Sequence, residues 1–342
     1  MTRTALALLA CATLSHAQLS DTRPSPAQAS PPSVAGTYHF TVPQAKPAMD
    51  EAATIVKTVA AVPQVSVDES NAALNFSGPA DAVTFAEWIL AQIDKAAPDN
   101  IPHEYRLPSG DIGRVNFVPN IQKPQGMQEL LTVLRTVADV QKVFTFTPNQ
   151  AMVLRGPAWE IDFAEWIIGQ IDQPVQKNPD PTPREFTVGG PDYRGLGHAA
   201  RINFLSTLKD PRQMQEVLTV LRTVGDVQKV FSFSSAHALA LRAGDTDLER
   251  AEWLIQQMDQ PAGQSSGPRI FTAPAGDDVT RIFYLRNTTP EWIQAAVTGM
   301  RSELNIKKIF DIRNPAYIVV RGTTDQIAAA LAWMTLHNAL PE

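Results

Sequence analysis

The chain repeats itself, and this restricts what it can fold into more than any single motif does. Residues 114–174 align with residues 201–261 over 61 positions without a gap, at a spacing of 87, and about half of the positions are identical. Within residues 127–146 and 214–233 (MQELLTVLRTVADVQKVFTF and MQEVLTVLRTVGDVQKVFSF), 17 of 20 positions match. Residues 281–341 form a further copy of the same length, more diverged, and residues 37–95 a first copy that reads a residue or two shorter. Self-similarity at a fixed period means one supersecondary unit built several times over.

Inside a unit the hydrophobic period switches in a fixed order. Val115 and Phe117 alternate as in a strand. Pro124 then stands where a helix takes its first residue, with Pro47, Pro211 and Pro290 in the matching places; proline there loses no hydrogen bond and sets a helical φ. Met127, Leu130, Leu131, Leu134 and Val137 follow at helical spacing. Two β-rich stretches come next, residues 141–147 and 151–155, joined through Pro148 and Asn149. Gly156, with Gly78, Gly244 and Gly322 as counterparts, turns the chain into a second helix with the stripe Ile161, Ala164, Ile167, Ile168 and Ile171. The order β-α-β-β-α predicts an α+β fold of four tandem repeats, each a three-stranded sheet with two helices on one face.

The repeats are assigned to residues 37–95, 114–174, 201–261 and 281–341. Pro/Gly/Ser-rich linkers, residues 18–36, 96–113, 175–200 and 262–280, carry much of the chain's 27 prolines. Each of the last three holds a short β-like run, beginning at Glu104, Glu185 and Ile270, expected to add an edge strand to the unit that follows. A unit of about 60 residues is marginal alone. The length of the linkers points to beads with some docking, not to a tight solenoid.

Composition excludes several function classes. Of 342 residues, 44% are hydrophobic and 19% charged, enough for real cores, and no apolar run near the length of a membrane span lies beyond the N-terminus. A net charge of -6 lacks the basic excess that supplies most nucleic-acid affinity, so no nucleic-acid partner is expected. At the N-terminus, Arg3 precedes an apolar stretch from Ala5 to Leu14, and Ser15-His16-Ala17 is a small-x-small site. This is the layout of an export signal, residues 1–17, cleaved after Ala17. Cleavage removes Arg3 and no acid, taking the net charge from -6 to -7. The only cysteine, Cys11, lies inside the signal, so the mature chain has no thiol. A rival reading takes Leu8-Leu9-Ala10-Cys11 as a lipoprotein box with Cys11 lipidated; Leu9 is bulky for that position.

The second helix ends in a recurrent form: WIIGQIDQP at residues 166–174, WLIQQMDQP at residues 253–261 and WILAQID at residues 88–94. With the preceding strand, closest in NAALNFSG at residues 71–78, this resembles the short N-terminal, KH-like ring-building domains of bacterial secretins. Their copies end in a similar Leu/Ile-x-x-Leu-Asp-x-Pro helix. The resemblance covers most of residues 38–341 and implies assembly by protein–protein contact, not catalysis. The chain departs from the family in three ways. It stops at Glu342 without the long Gly-rich outer-membrane barrel region, shows no copy of the family's distinct first domain, and carries Trp88, Trp166, Trp253 and Trp333 where the family is more often polar.

These tryptophans are the most informative side chains. With Ala164 as origin, Trp166 falls about 200° round the helix and Phe163 about 260°, both off the core stripe. Phe85 flanks Trp88 likewise. Two readings stand: the rings fold over the sheet margin or linker strand of their own unit, or they form an interface between units or chains. Arg155, Arg242 and Arg321 recur at the end of the third strand, and Arg114, Arg201 and Arg281 in the first. They read as solvated strand ends or as a stripe for an acidic partner. Asp94, Asp172 and Asp259 recur at a helix C-terminus, where the dipole disfavours a negative charge, so a local hydrogen bond or an arginine is expected beside each.

Signals for catalysis are weak. The five histidines of the mature chain (His39, His103, His198, His237 and His337) have no metal-ligand spacing, and there is no G-x-S-x-G elbow or phosphate loop. Gly195 and Gly197 form a lone glycine pair in a linker. RNA-binding KH units share the element order but need a Gly-x-x-Gly clamp and a basic surface. No catalytic, cofactor-binding or metal residues are assigned. The expectation is a non-enzymatic periplasmic scaffold or accessory protein of a secretion- or pilus-type envelope assembly, with protein partners that include itself. The alternative is a periplasmic peptide- or glycan-binding module using sheet edges or grooves between repeats.

Overall fold

A computed structural model describes residues 32–174, 180, 182–189, 197–261, 269–274, 276–285, 288–313 and 315–337. The export signal and Cys11 lie outside the described residues. The first repeat runs β1 (Ser33–His39), α1 (Lys46–Thr58), β2 (Gln64–Asp68), β3 (Ala73–Pro79) and α2 (Ala80–Ile93). The second comprises β4 (His103–Arg106), β5 (Ile112–Phe117), α3 (Pro124–Thr136), β6 (Lys142–Phe146), β7 (Ala151–Gly156) and α4 (Ala158–Ile171). The third comprises β8 (Arg184–Thr187), β9 (Ala199–Phe204), α5 (Pro211–Thr223), β10 (Lys229–Phe233), β11 (Ala238–Ala243) and α6 (Asp245–Met258). The fourth comprises β12 (Ile270–Thr272), β13 (Val279–Tyr284), α7 (Pro290–Glu303), β14 (Lys308–Arg313), β15 (Ala316–Gly322) and α8 (Thr324–Leu336).

The architecture is α+β, with four small antiparallel sheets in the orders β1-β3-β2, β4-β5-β7-β6, β8-β9-β11-β10 and β12-β13-β15-β14. The last three sheets are four-stranded, because β4, β8 and β12 pair with the strand that follows them. Two sequence expectations shift. β1 starts at Ser33, inside the stretch read as linker, because β3 offers it a seven-residue partner running from Ser33↔Pro79 to His39↔Ala73. Nor is the first copy shorter: α1, β2, β3 and α2 begin at residues 46, 64, 73 and 80, each 78 residues before α3, β6, β7 and α4 at 124, 142, 151 and 158.

The expectation of beads with some docking is also corrected. Each of the first three helix pairs has its own sheet on one side and the next repeat's sheet on the other. One core joins Ala52, Val56 and Ile89 of the first helix pair to Leu74 and Phe76 of their own sheet and to Val115, Phe146 and Val153 of the next. A second joins Leu130, Val133 and Ile167 to Met152 and Leu154 on one side and to Ile202, Phe233 and Ala240 on the other. A third joins Leu218 and Leu254 to Leu241 and to Ile282, Ile312 and Val319. The physical cause is visible in β5, which is buried at every residue and therefore needs cover on both faces. A unit with one apolar helix stripe would make a bead; these helices carry two.

The recurrent aspartates tie each second helix back to the loop after the first strand of its own repeat. Asp94 accepts from Thr41 N (2.6 Å), Thr41 Oγ1 (2.8 Å), Val42 N (3.1 Å) and Tyr38 Oη (3.1 Å). Asp172 accepts from Asn120 N at 2.9 Å. Asp259 accepts from the amide and hydroxyl of both Ser206 and Thr207 and from Leu208 N, all within 2.9 Å. A concave set of donors outweighs the unfavourable end of the helix dipole. Asp259→Ala orphans these donors and is expected to lower unfolding free energy by about 2–3 kcal/mol in urea titration; a change under about 0.5 kcal/mol would show that water replaces the carboxylate.

Candidate interaction surfaces

Trp88, Trp166 and Trp253 are each the ninth residue of their helices, α2, α4 and α6. Each ring meets an aromatic residue of the following linker strand. Trp88 lies 5.3 Å from Tyr105 on β4, and Phe85 lies 5.2 Å from the same ring. Trp166 and Phe163 both lie 5.2 Å from Phe186 on β8, and Trp253 lies 5.9 Å from Phe271 on β12. Since that strand belongs to the sheet of the next repeat, each ring makes a contact between repeats and not with the linker strand of its own unit. A β-carbon at position 113 would collide with the Phe85 ring, which explains Gly113 in β5. Trp333 does not belong to the set. It is the tenth residue of α8, about 100° further round the helix, and it packs on Trp292 (6.0 Å) and stacks on His337 (3.9 Å).

The strand-end arginines are not solvated. Arg242, with its side chain 1% exposed, pairs with Asp139, as does Lys229, so that two cations of the third repeat meet one carboxylate of the second. Its guanidinium also sits 5.8 Å from the Phe163 ring centre. Arg321 and Lys308 meet Asp226 in the same way one repeat later. Asp139 and Asp226 occupy left-handed positions after α3 and α5, with φ of 66° and 61°. In the first repeat the matching residue is Ala61, and Arg155 instead reaches Asp111 of its own repeat at 2.8 Å. Arg114 pairs with Glu104 and Glu165, and Arg201 with Glu185 and Glu252; Arg281 lies 5.0 Å from the Phe283 ring. A stripe of free arginines is therefore not what the fold presents.

Sequence reading missed two residues. Arg250 replaces the phenylalanine found at 85 and 163, yet its side chain is 1% exposed; Asp247 and Asp278 hold it at 2.6 and 2.7 Å, and it faces the Phe271 ring at 5.4 Å. Asp278 also binds Arg321. Burial pushes its carboxyl up, but Arg321 and Arg250 outweigh this and hold it below its ordinary value. Glu160, in the first turn of α4, is pushed up to about 7, by burial first and then by Asp139 and Asp111; Arg242 and Lys142 only partly offset them. Neither was signalled by periodicity, because Asp278 beside Arg250, and Asp139 and Asp111 beside Glu160, are distant in sequence.

With the inter-repeat boundaries packed, two ends of the file remain. The face of the second sheet turned to α1 and α2 carries Val115, Phe117, Phe144, Phe146 and Val153. The matching positions of the first sheet are Thr37, His39, Ser66, Asp68 and Asn75. Among the described residues nothing covers that face, and it is polar, with Thr37 Oγ1 donating to Asn75 Oδ1 at 2.8 Å. At the other end α7 and α8 have only their own sheet beside them among the described residues. They present Trp292, Trp333 and Leu336, the last 79% exposed. Among the described residues there is no cluster of three or more His, Cys, Asp or Glu side chains placed to hold a metal, and no helix is long and apolar enough to cross a membrane.

No protein-family profile matches the chain, and no curated protein matches it. Solved structures similar to it include a chain of the a/eIF2alpha–aDim2p–rRNA complex of Pyrococcus horikoshii, at 9% identity over 42% of this chain and 88% of that one, TM-score 0.25. ExeD of Aeromonas hydrophila is similar at 16% identity over 66% of this chain and 40% of that one, TM-score 0.16. The N-terminal domain of the secretin XcpQ of Pseudomonas aeruginosa is similar at 15% identity over 41% of this chain and 62% of that one, TM-score 0.18. Likenesses at this level carry no functional weight.

Two expectations test the interfaces. Arg250→Phe restores the residue type of the two equivalent boundaries and leaves Asp278 with Arg321, so stability should change by less than about 1 kcal/mol or rise, whereas Asp278→Ala, which strips a carboxylate from buried Arg250, should cost about 3 kcal/mol. Equal losses in both variants would contradict this. For Glu160 the folded state holds the proton more tightly than the unfolded chain. Its contribution is complete below the ordinary carboxylate value near 4.5 and is lost as pH rises through about 7. Glu160→Gln should therefore raise Tm at pH 8 and leave it unchanged at pH 4; the reverse order would place the glutamate in a favourable ionised contact.

Proposed function

We propose that this chain is a non-catalytic scaffold or accessory protein of a cell-envelope assembly of the secretion or pilus type, exported to the periplasm and working through protein–protein contacts, self-association included. The observation that carries this reading is where the recurrent side chains go. The tryptophans of the first three repeats, with Arg242 and Arg321, hold the repeats in file, and the helix-end aspartates brace each repeat internally. What is left for other molecules is extended surface: a polar sheet face, an aromatic helix face and strand edges. The resemblance of the helix ending WIIGQIDQP to the secretin N-terminal repeats supports the same reading, and its aspartate, Asp172, accepts from Asn120 N. Export rests on the first 17 residues.

The reading is tested in the native cell. A photo-crosslinking residue at Trp333, and separately at Gln64, should capture components of an envelope assembly from the periplasmic fraction, with a mature N-terminus at Gln18. Retention of the uncleaved chain in the cytosol, or adducts with cytosolic proteins alone, would overturn it.

A further inference from the structure

We infer that the outer edge of β1 is a strand-docking site, and that its occupant is β1 of a second copy of this chain. This deepens the reading of a contact protein and rests on it. In the last three sheets the corresponding edge, outside β5, β9 and β13, is closed by β4, β8 and β12. Among the described residues the first sheet ends at β1.

The direction of the free groups follows from one bond. Phe40 N donates to Ala72 O at 2.9 Å, in register with the β1–β3 ladder. Antiparallel pairing alternates, so the even-numbered residues of β1 turn their N–H and C=O to β3, and Ser33, Ala35, Thr37 and His39 turn theirs outward. Such an edge is a template for another strand unless it is short, charged or broken by proline. The other added edges are short and two are charged: β4 is HEYR, β8 is REFT and β12 has three residues. β1 has seven residues, SVAGTYH, with no Lys, Arg, Asp, Glu or Pro, and Val34 is 43% exposed.

The second copy is favoured by self-complementarity. A two-fold axis at Gly36 pairs Ala35 with Thr37 and Ser33 with His39 of the other copy, so that outward groups meet outward groups on both chains. On the face that carries Tyr38 it sets the exposed Val34 against Tyr38 of the other copy as a non-hydrogen-bonded pair, the closer kind. No like charges face each other across this pairing. It joins two three-stranded sheets into one, in the order β2-β3-β1-β1-β3-β2, and closes as a dimer instead of propagating. The chain's own preceding segment is a poor substitute, because Pro24, Pro26, Pro31 and Pro32 have no N–H for a ladder.

Sedimentation velocity of the purified mature chain over two decades of concentration tests the pairing. Wild type should show a monomer–dimer equilibrium. Thr37→Pro removes an outward N–H and no bond to β3, and should weaken the dimer at least tenfold. Ala35→Lys, which sets a charge on the exposed edge, should do the same with wild-type melting and serves as the deciding variant where Thr37→Pro fails to fold. A wild type that stays monomeric, or a dimer that keeps its strength in Ala35→Lys, overturns the inference. A strictly monomeric chain that still gives the envelope adducts described above would sink the β1 pairing alone and leave the contact role standing.

Discussion

Everything in this molecule depends on helix layers that are apolar on two sides. A sheet of three or four short strands with one helix pair buries too little to be secure. Here α1 and α2 cover their own sheet and the next one, so Val115 and Val153 lose contact with water through helices that precede them in the chain. Stability then becomes a property of neighbouring pairs, as in repeat proteins whose units contact only the unit before and after. The long linkers do not loosen this arrangement, because part of each is used: β4, β8 and β12 return to the sheet and bring Tyr105, Phe186 and Phe271 against the tryptophan of the previous helix.

Polar contacts then fix how one unit sits on the next. Asp139 and Asp226 stand at the left-handed residue after the first helix, a conformation that Asp and Asn adopt more readily than bulkier residues. Each receives a lysine and an arginine from the following sheet. The same backbone position holds Ala61 in the first repeat and Asn305 in the fourth, both again with positive φ. The backbone feature thus persists at four places while the charge is confined to the two inner ones. Arg250 is a local variation on this scheme: a buried cation takes over from phenylalanine where Asp278 is at hand. Burial of such groups is tolerable only because each has its carboxylate.

The two ends differ for the same physical reason. A file of stacked units must stop somewhere, and a sheet face exposing Val, Phe and Ala would invite further stacking. In the first repeat those places are taken by Thr37, Ser66 and Asn75, the polar outer face expected of a terminal cap. At the opposite end Trp292 and Trp333 lie together across small residues, with Gly299 beneath Trp333. The edge of β1 is the part of the first repeat that the polar substitutions leave unguarded.

The repeat and the β-α-β-β-α order were legible in the sequence, because they rest on short-range periodicity and a proline at a helix start; the donors to the helix-end aspartates were not, since Asn120, for one, lies 52 residues from Asp172. The partners of Trp166 and Arg242 were not legible either. Their environment is set by residues from another repeat, and a period of 3.6 or 2 reports only that a face is apolar, not which of two neighbours covers it. The sequence by itself thus determined the unit and its number of copies. Whether the copies hang as beads or stack into shared cores was decided by tertiary structure alone, since only there do the second apolar side of each helix pair and the second face of each sheet find one another.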